Sequence, residues 1–309
     1  MRLRSSIVVA VVILLGGCSL KKRAVDTLAD VLGEAENVYL SDEDPELIAA
    51  ALPFNLKTLE TLLQSSPEHR ELLLTATKSF ILYAYGFVEP GARELEYVDF
   101  DRAESIRRRA ARLYRRAYRY GVRGLAVEHP GIGANLSIRP EQAVAHLTVE
   151  DVPLAVWTAA ALGGAIGVAR DDPESTADIA VVGALLRRAL SLDEGFEDGA
   201  IHEFLMIYEA GRAGGSKATA KEHYEKALAL GPAKRPSVWL GWAESVAVAD
   251  QNRDEFLALV DEALAFDIDR YPENRLLNLL AQRRARWLKA SVDEFFLDDG
   301  NGNETSLSR

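Results

Sequence analysis

AKEHYEKALALGP, residues 220–232, decides how the rest of the chain is read. Ala220, Tyr224 and Ala227 fall on one face of a helix, and Pro232 marks its end. Small residues on that face let a second helix approach closely, and the aromatic ring fills the gap beside them. The ending recurs at Ala189-Leu190-x-Leu192 and at Ala263-Leu264-x-Phe266, so that Ala189, Ala227 and Ala263 stand 38 and 36 residues apart. Ala110-x3-Tyr114-x2-Ala117 carries the fuller pattern, with Ala117 lying 72 residues before Ala189, twice 36. Leu62-Leu63-x-Ser65-x-Pro67 is a weaker copy.

A small–aromatic–small helix closed by proline is the second-helix signature of a tetratricopeptide repeat, whose standard period is about 34 residues. The periods here are irregular, and the usual glycine of the first helix is mostly missing. The expectation is an all-α protein, a superhelical array of degenerate tetratricopeptide-like helical hairpins with a concave binding face. No alternating strand pattern interrupts it. Ser41-Asp42-Glu43-Asp44-Pro45 opens a helix to about Ser65, and Ser66-Pro67-Glu68 opens another to about Phe87. Residues 89–100 read as an irregular link, Phe100 to Ala126 as a long helix, and His129 to Pro140 as a loop. A short helix at 141–146 precedes an apolar one from Pro153 to Arg170, and Asp171-Asp172-Pro173-Glu174 opens the next, to Leu192. Further helices fit 196–212, 217–230, 236–250, 253–266 and Pro272 to Phe296.

The single cysteine, Cys18, follows a basic start (Arg2, Arg4), an apolar run from Ile7 to Leu15, and Gly16-Gly17. That is the layout of a secretory signal, and the run is well short of the roughly 20 residues that span a bilayer. Leu15-Gly16-Gly17-Cys18 resembles the lipobox of bacterial lipoproteins, in which the thiol is acylated and the chain is cut before it. Several acyl chains make a stable anchor. Ser19, in place of Asp, favours the outer membrane facing the periplasm. The expected organisation is a signal peptide at 1–17, a lipidated N-terminus with a tether or short helix at 18–43, a helical domain at 44–297, and a polar, disordered tail at 298–309. Formal charge is −11, and −13 without Arg2 and Arg4, which disfavours nucleic acid as a partner. Hydrophobic content of 48% supports a full core.

Chemistry is hard to find. His202-Glu203-Phe204-Leu205-Met206 begins like H-E-x-x-H, but Met206 stands where the second imidazole must be. His69, His129, His146 and His223 are scattered, with no Cys or carboxylate at ligand spacing. Gly131-x-Gly133 does not follow a strand, and Asp171-Asp172 reads as a helix N-cap with first-turn acids. No catalytic residue, cofactor or metal is expected, and the chain is not expected to be an enzyme.

Two segments are less bland. Nine arginines lie between Arg102 and Arg123, opposite a stripe of Ala103, Ile106, Ala110, Leu113, Tyr114, Ala117 and Gly121. The basic face is either solvated and paired with neighbouring acids, or a docking face for an acidic partner, with Arg107, Arg108, Arg112, Arg115 and Arg119 as candidates. The helix from Pro153 to Arg170 is apolar all round, so it should be buried. Its Gly163, Gly164 and Gly167 each cost about 1 kcal/mol of helix stability relative to Ala. Close helix packing is one reason for them; room beside Trp157 for a ligand or narrow channel is the other. Trp157, Gly163, Gly164, His202, Tyr208 and Trp239 are the candidate ligand path.

The chain resembles the TatT family, the T-component of tetratricopeptide-associated TRAP transporter systems, over about Val25 to Phe296. The resemblance is carried by Ala51-Leu52-Pro53-Phe54 with Leu56 to Leu63, Trp157-Thr-Ala-Ala-Ala-Leu-Gly-Gly-Ala-Ile166, Asp171-Asp172-Pro173, Gly199-Ala-Ile-His-Glu-Phe-Leu205, Ala220 to Ala227 and Asn274 to Gln282. It implies a periplasmic lipid-anchored protein that trimerises and associates with a substrate-binding P-component. That component hands a small organic acid, hydrophobic ones included, to an inner-membrane symporter. A pore through each protomer is also implied. The competing expectation is a repeat scaffold for protein–protein interaction in envelope assembly.

Overall fold

A computed structural model describes residues 36–169, 178–231 and 235–297. Cys18, Asp171-Asp172 and the tail at 298–309 lie outside the described residues. The described residues are all-α, without a strand. In order they are α1 Glu36–Leu40, α2 Pro45–Ser65, α3 Arg70–Tyr83, α4 Glu89–Leu95, α5 Phe100–Glu128, α6 Ile132–Ile138, α7 Pro140–Val144, α8 Val152–Val168, α9 Ile179–Leu192, α10 Ala200–Gly211, α11 Lys217–Leu230, α12 Ser237–Trp242, α13 Arg253–Ala265 and α14 Arg275–Ala290. Widened π-turns extend α3 through Ala84–Val88 and α12 through Ala243–Ala247.

Polar side chains start several of these helices. Asp44 accepts from Leu47 N–H, Asp99 from Arg102 N–H, Ser216 from Thr219 N–H and Asn252 from Glu255 N–H. Each such cap satisfies an orphan donor and contributes about 1 kcal/mol. The repeated small residues sit where the spacing puts them: Ala117, Ala189, Ala227 and Ala263 are each at most 1% exposed. Tyr224 packs its ring 4.8 Å from that of Trp242.

Two sequence expectations are corrected. Residues 89–100 are not an irregular link, because α4 forms at Glu89–Leu95, with proline in its first turn and a Glu89–Arg93 ion pair one turn apart. His129 to Pro140 is not a loop either. Ile132 and Leu136, four residues apart, bury one face of α6 against the core. Only the turn at Gly131 is irregular, with φ 85°, a conformation glycine adopts without strain.

Successive helices pack in turn: α2 on α3, α3 on α5, α5 on α8, α8 on α9, α9 on α10, α10 on α11 and α12, α12 on α13, and α13 on α14. The last helix then returns to the first, so the array closes on itself. Ile48 and Leu52 of α2 form one buried cluster with Leu276 and Leu280 of α14. Four such side chains, at roughly 1.5–3 kcal/mol each, make the closure a substantial contact. Arg283–Glu46 and Arg275–Glu43 ion pairs flank it.

The apolar helix is central. By length and composition alone Val149–Val168 could cross a bilayer, but 56% of that window is buried inside the protein. Here α8 lies between α5 and α9 and also touches α3. Its approach to α5 is glycine-dependent. A Cβ at Gly121 would stand 2.1 Å from Thr158 Oγ1 and 3.2 Å from the Thr158 Cα.

Candidate functional site

Side chains from helices that are distant in sequence meet in a partly buried polar seam. Lys78 of α3 is the first member. Its Nζ stands 5.1 Å above the Trp157 ring of α8 and 3.5 Å from Glu197 Oε1. Trp157 Nε1–H donates to the same Glu197 oxygen at 3.3 Å. Phe204 of α10 meets the Trp157 ring edge-on, with centroids 6.2 Å apart. Glu197 and Asp198 hold their position in left-handed backbone, at φ 42° and 54°. Non-glycine residues pay roughly 1–2 kcal/mol each for that conformation, and such strain clusters where a side chain must be held in place. Arg235 supports the corner, donating to the Asp198 carbonyl at 3.1 Å and standing 3.6 Å from Glu203.

Arg284 of α14 is the centre of a second polar group. Its Nη1 donates to Tyr85 Oη at 2.8 Å, and its Nη2 lies 2.6 Å from Glu244 Oε2. Tyr85 belongs to the π-turn after α3 and Glu244 to the π-turn after α12. Two rare turns, more than 150 residues apart in the chain, thus present their polar side chains to one arginine; π-turns inside helices are frequent at functional sites. Burial alone would lower the Arg284 pKa, but Glu244, Tyr85 and Glu89 outweigh it and hold the guanidinium charged. Arg284 Nε is buried without an acceptor among the described residues. Next to this group, Tyr114 Oη donates to Glu89 Oε2 at 2.7 Å. Burial, followed by the Glu89 carboxylate, pushes the Tyr114 phenol well above its ordinary pKa.

The candidate path residues do not all converge. Trp157 is in the seam. A Cβ on Gly163 would meet Val182 at an ordinary 3.9 Å, whereas one on Gly164 would strike the Tyr114 ring at 2.5 Å. Tyr208 lies between the guanidinium groups of Arg187 and Arg212, 5.9 and 5.4 Å from its ring. Trp239 packs on Phe266 in the α12–α14 cluster. His202 is buried between α10 and α11, where its Nδ1 lies 2.8 Å from His223 Nδ1 and its Nε2 3.3 Å from Glu194 Oε1. The histidines are therefore not all scattered. His129 is also engaged, with Nε2 2.8 Å from the buried Asp151. Among the described residues no group of three or more His, Cys, Asp or Glu could hold a metal ion.

The arginine face divides into rows. Arg109, Arg116 and Arg123, seven residues apart, tie α5 to its neighbours. Arg109 donates to Tyr83 Oη, Arg116 pairs with Glu60, and Arg123 donates to the carbonyls of Leu63 and Pro67. Arg107 pairs with Glu96 and Glu104, Arg108 with Glu104, and Arg115 with Asp178. Arg112 and Arg119 are exposed, and no carboxylate pairs with them among the described residues.

Sequence reasoning missed Lys78, Tyr85, Glu197, Glu244 and Arg284. Their only sequence signal is a charged or phenolic residue amid core positions of a helix, as at Lys78 and Tyr85.

The described residues, helices packed on helices without a strand, define an all-α protein. The family described as TAtT, TRAP transporter T-component, matches residues 41–296, and the chain belongs to that family. An uncharacterized protein of Treponema pallidum (strain Nichols) is 31% identical over 312 residues, covering 93% of this chain and 95% of the relative. Membership makes the chain an accessory component of a transport system of the cell envelope.

Proposed function

We propose that this T-component is a lipoprotein anchored through Cys18, facing the periplasm from the inner side of the outer membrane because Ser19 stands where a retaining Asp would, and acting as a homo-oligomer, a trimer by family resemblance. It docks the substrate-binding P-component of its TRAP system and passes a small organic acid along the polar seam without altering it. The seam is the observation that carries this reading. It spends backbone strain at Glu197 and Asp198 to keep a cation, an indole and a second aromatic ring together at Lys78, Trp157 and Phe204. Such a mixture of apolar wall and few polar groups suits an amphipathic ligand. Arg112 and Arg119 are the exposed cations best placed to meet an acidic partner. The test is calorimetric titration of the anchor-free chain with the P-component of the same system. Saturable binding is expected, weakened in the Arg112→Glu/Arg119→Glu variant. Absence of any binding across the micromolar range contradicts the proposal.

A further inference from the structure

His202 and His223 stand apart from the seam and have no part in the proposed transfer. His202 is 3% exposed, on α10; His223 is partly buried, on α11. Their rings lie 5.0 Å apart and their Nδ1 atoms 2.8 Å apart, so one of the two nitrogens must carry a proton and the other must not. Glu194, in the loop after α9, resolves which. Its carboxylate accepts from His202 Nε2–H at 3.3 Å, which leaves His202 Nδ1 bare in the neutral ring. His223 Nδ1–H is then the donor, and His223 Nε2 is the free basic site.

This arrangement takes up one further proton easily and a second only by breaking. The first goes to His223 Nε2 and strengthens the Nδ1–H···Nδ1 bond by charging its donor. The second must go to His202 Nδ1, where two N–H groups and two cations would face each other at 2.8 Å. The remaining charged groups around the pair are Lys226 and Glu222 on α11 and Glu209 on α10. Lys226 Nζ is 3.1 Å from Glu194 and already draws on that carboxylate. Glu209 is committed to Arg212 at 2.7 Å. One exposed carboxylate shared with a lysine does not offset one buried and one partly buried imidazolium charge.

We infer that the His202–His223 pair is a proton-operated latch between α10 and α11, closed when the pair holds at most one extra proton and released by the second. Burial lowers the pKa of both imidazoles, with Glu194 opposing it at His202. Release therefore belongs below the ordinary histidine range of about 6.5. The latch bears on the neighbouring corner through short connections. Glu194 lies three residues before Glu197. Gly231, at the end of α11, is so close to Asp198 that a Cβ there would stand 2.5 Å from the Asp198 carbonyl oxygen. Parting α11 from α10 thus removes the support under the left-handed Glu197–Asp198 turn.

Hydrogen exchange of the anchor-free chain, compared between about pH 7 and about pH 5 after correction for intrinsic exchange, tests the latch. Exchange across 194–231 is expected to rise about tenfold in acid, with α5 and α8 unchanged. In His223→Asn, whose amide nitrogen takes the place of Nδ1 and donates to His202 Nδ1 but does not titrate, that rise should disappear. NMR titration of the wild-type imidazoles gives a second readout and should show two separated steps. Equal exchange at both pH values, a rise that persists in His223→Asn, or a single shared titration step would overturn the inference. So would saturable binding of Zn2+ or Ni2+ by the pair at neutral pH, which would assign it to metal instead. None of these readouts involves the P-component, so the latch and the transfer function fail independently.

Discussion

Substituting alanine at the three glycines of α8 separates close packing from open space, because the helix is the same and only the surroundings differ. At each site Ala gains up to about 1 kcal/mol of helix propensity over Gly. Among the described residues, nothing lies within 4 Å of a Cβ added at Gly167, and Val182 alone lies within that distance at Gly163, at 3.9 Å. Both variants should therefore be stabilised, by about 0.5–1 kcal/mol each. Gly164 is different. The added carbon would lie 2.5–2.8 Å from three atoms of the Tyr114 ring. Tyr114 is 2% exposed, and its hydroxyl is held by Glu89 at 2.7 Å. The ring must retreat by roughly 1 Å, at an overpacking cost of about 1–3 kcal/mol. It also strains a hydrogen bond to a charged acceptor, itself worth about 1.5–3 kcal/mol. After the propensity gain, Gly164→Ala should lose about 2 kcal/mol. Urea denaturation of the anchor-free chain measures all three, with opposite shifts in midpoint expected for 163 and 164. Stabilisation by Gly164→Ala would refute the reasoning, since it would mean that Tyr114 does not occupy the space.

Other perturbations follow from the same contacts. Asp151 accepts from Arg70, His129, Thr148 N–H and the Thr148 hydroxyl, joining α3, α5 and the start of α8; Asp151→Ala should cost about 3–5 kcal/mol by denaturation at neutral pH. Burial tends to raise the Asp151 pKa, but those donors outweigh it and hold the carboxyl below its ordinary value. Its contribution is thus present above about pH 4 and lost as pH falls through the depressed folded value, so wild type and variant should converge in acid. Tyr85→Phe removes the acceptor for Arg284 Nη1 and should cost about 1–3 kcal/mol, read as a lower melting temperature. Cys18→Ser should give soluble or unprocessed protein; continued cleavage at the same place with membrane partitioning would count against lipidation.

The fold was largely legible because helix-on-helix packing writes itself into short spacings. Ala220, Tyr224 and Ala227 announce a contact face by their positions alone, and the alanines of the recurrences, Ala117, Ala189 and Ala263, are buried. The short helices α4 and α6 were not legible. Seven residues carry too little periodicity, and proline and glycine at their starts look like loop signals. The seam was hidden for a different reason. Lys78, Trp157 and Glu197 are far apart in the chain, and only the packing of α8 against α3 and α10 brings them together. The π-turns have no propensity signature, since Ala84–Val88 and Ala243–Ala247 read as ordinary helix. The histidine latch did leave a trace. His202 and His223 are equidistant from the turn around Arg212-Ala213, so an antiparallel hairpin must set them opposite one another. The sequence placed nine arginines on α5 opposite its apolar stripe. Their division into anchoring and exposed residues depended on which neighbours α2, α3 and α4 supply.

Ligand transfer tests the central claim most directly. The P-component of the same system is purified with its bound small molecule, mixed with an excess of the anchor-free chain, and both proteins are examined by native mass spectrometry. The account predicts that the ligand mass appears on the T-component, and that Trp157→Arg, which places a second cation beside Lys78, prevents this while the two proteins still associate. Retention of all ligand on the P-component within a formed wild-type complex would contradict it.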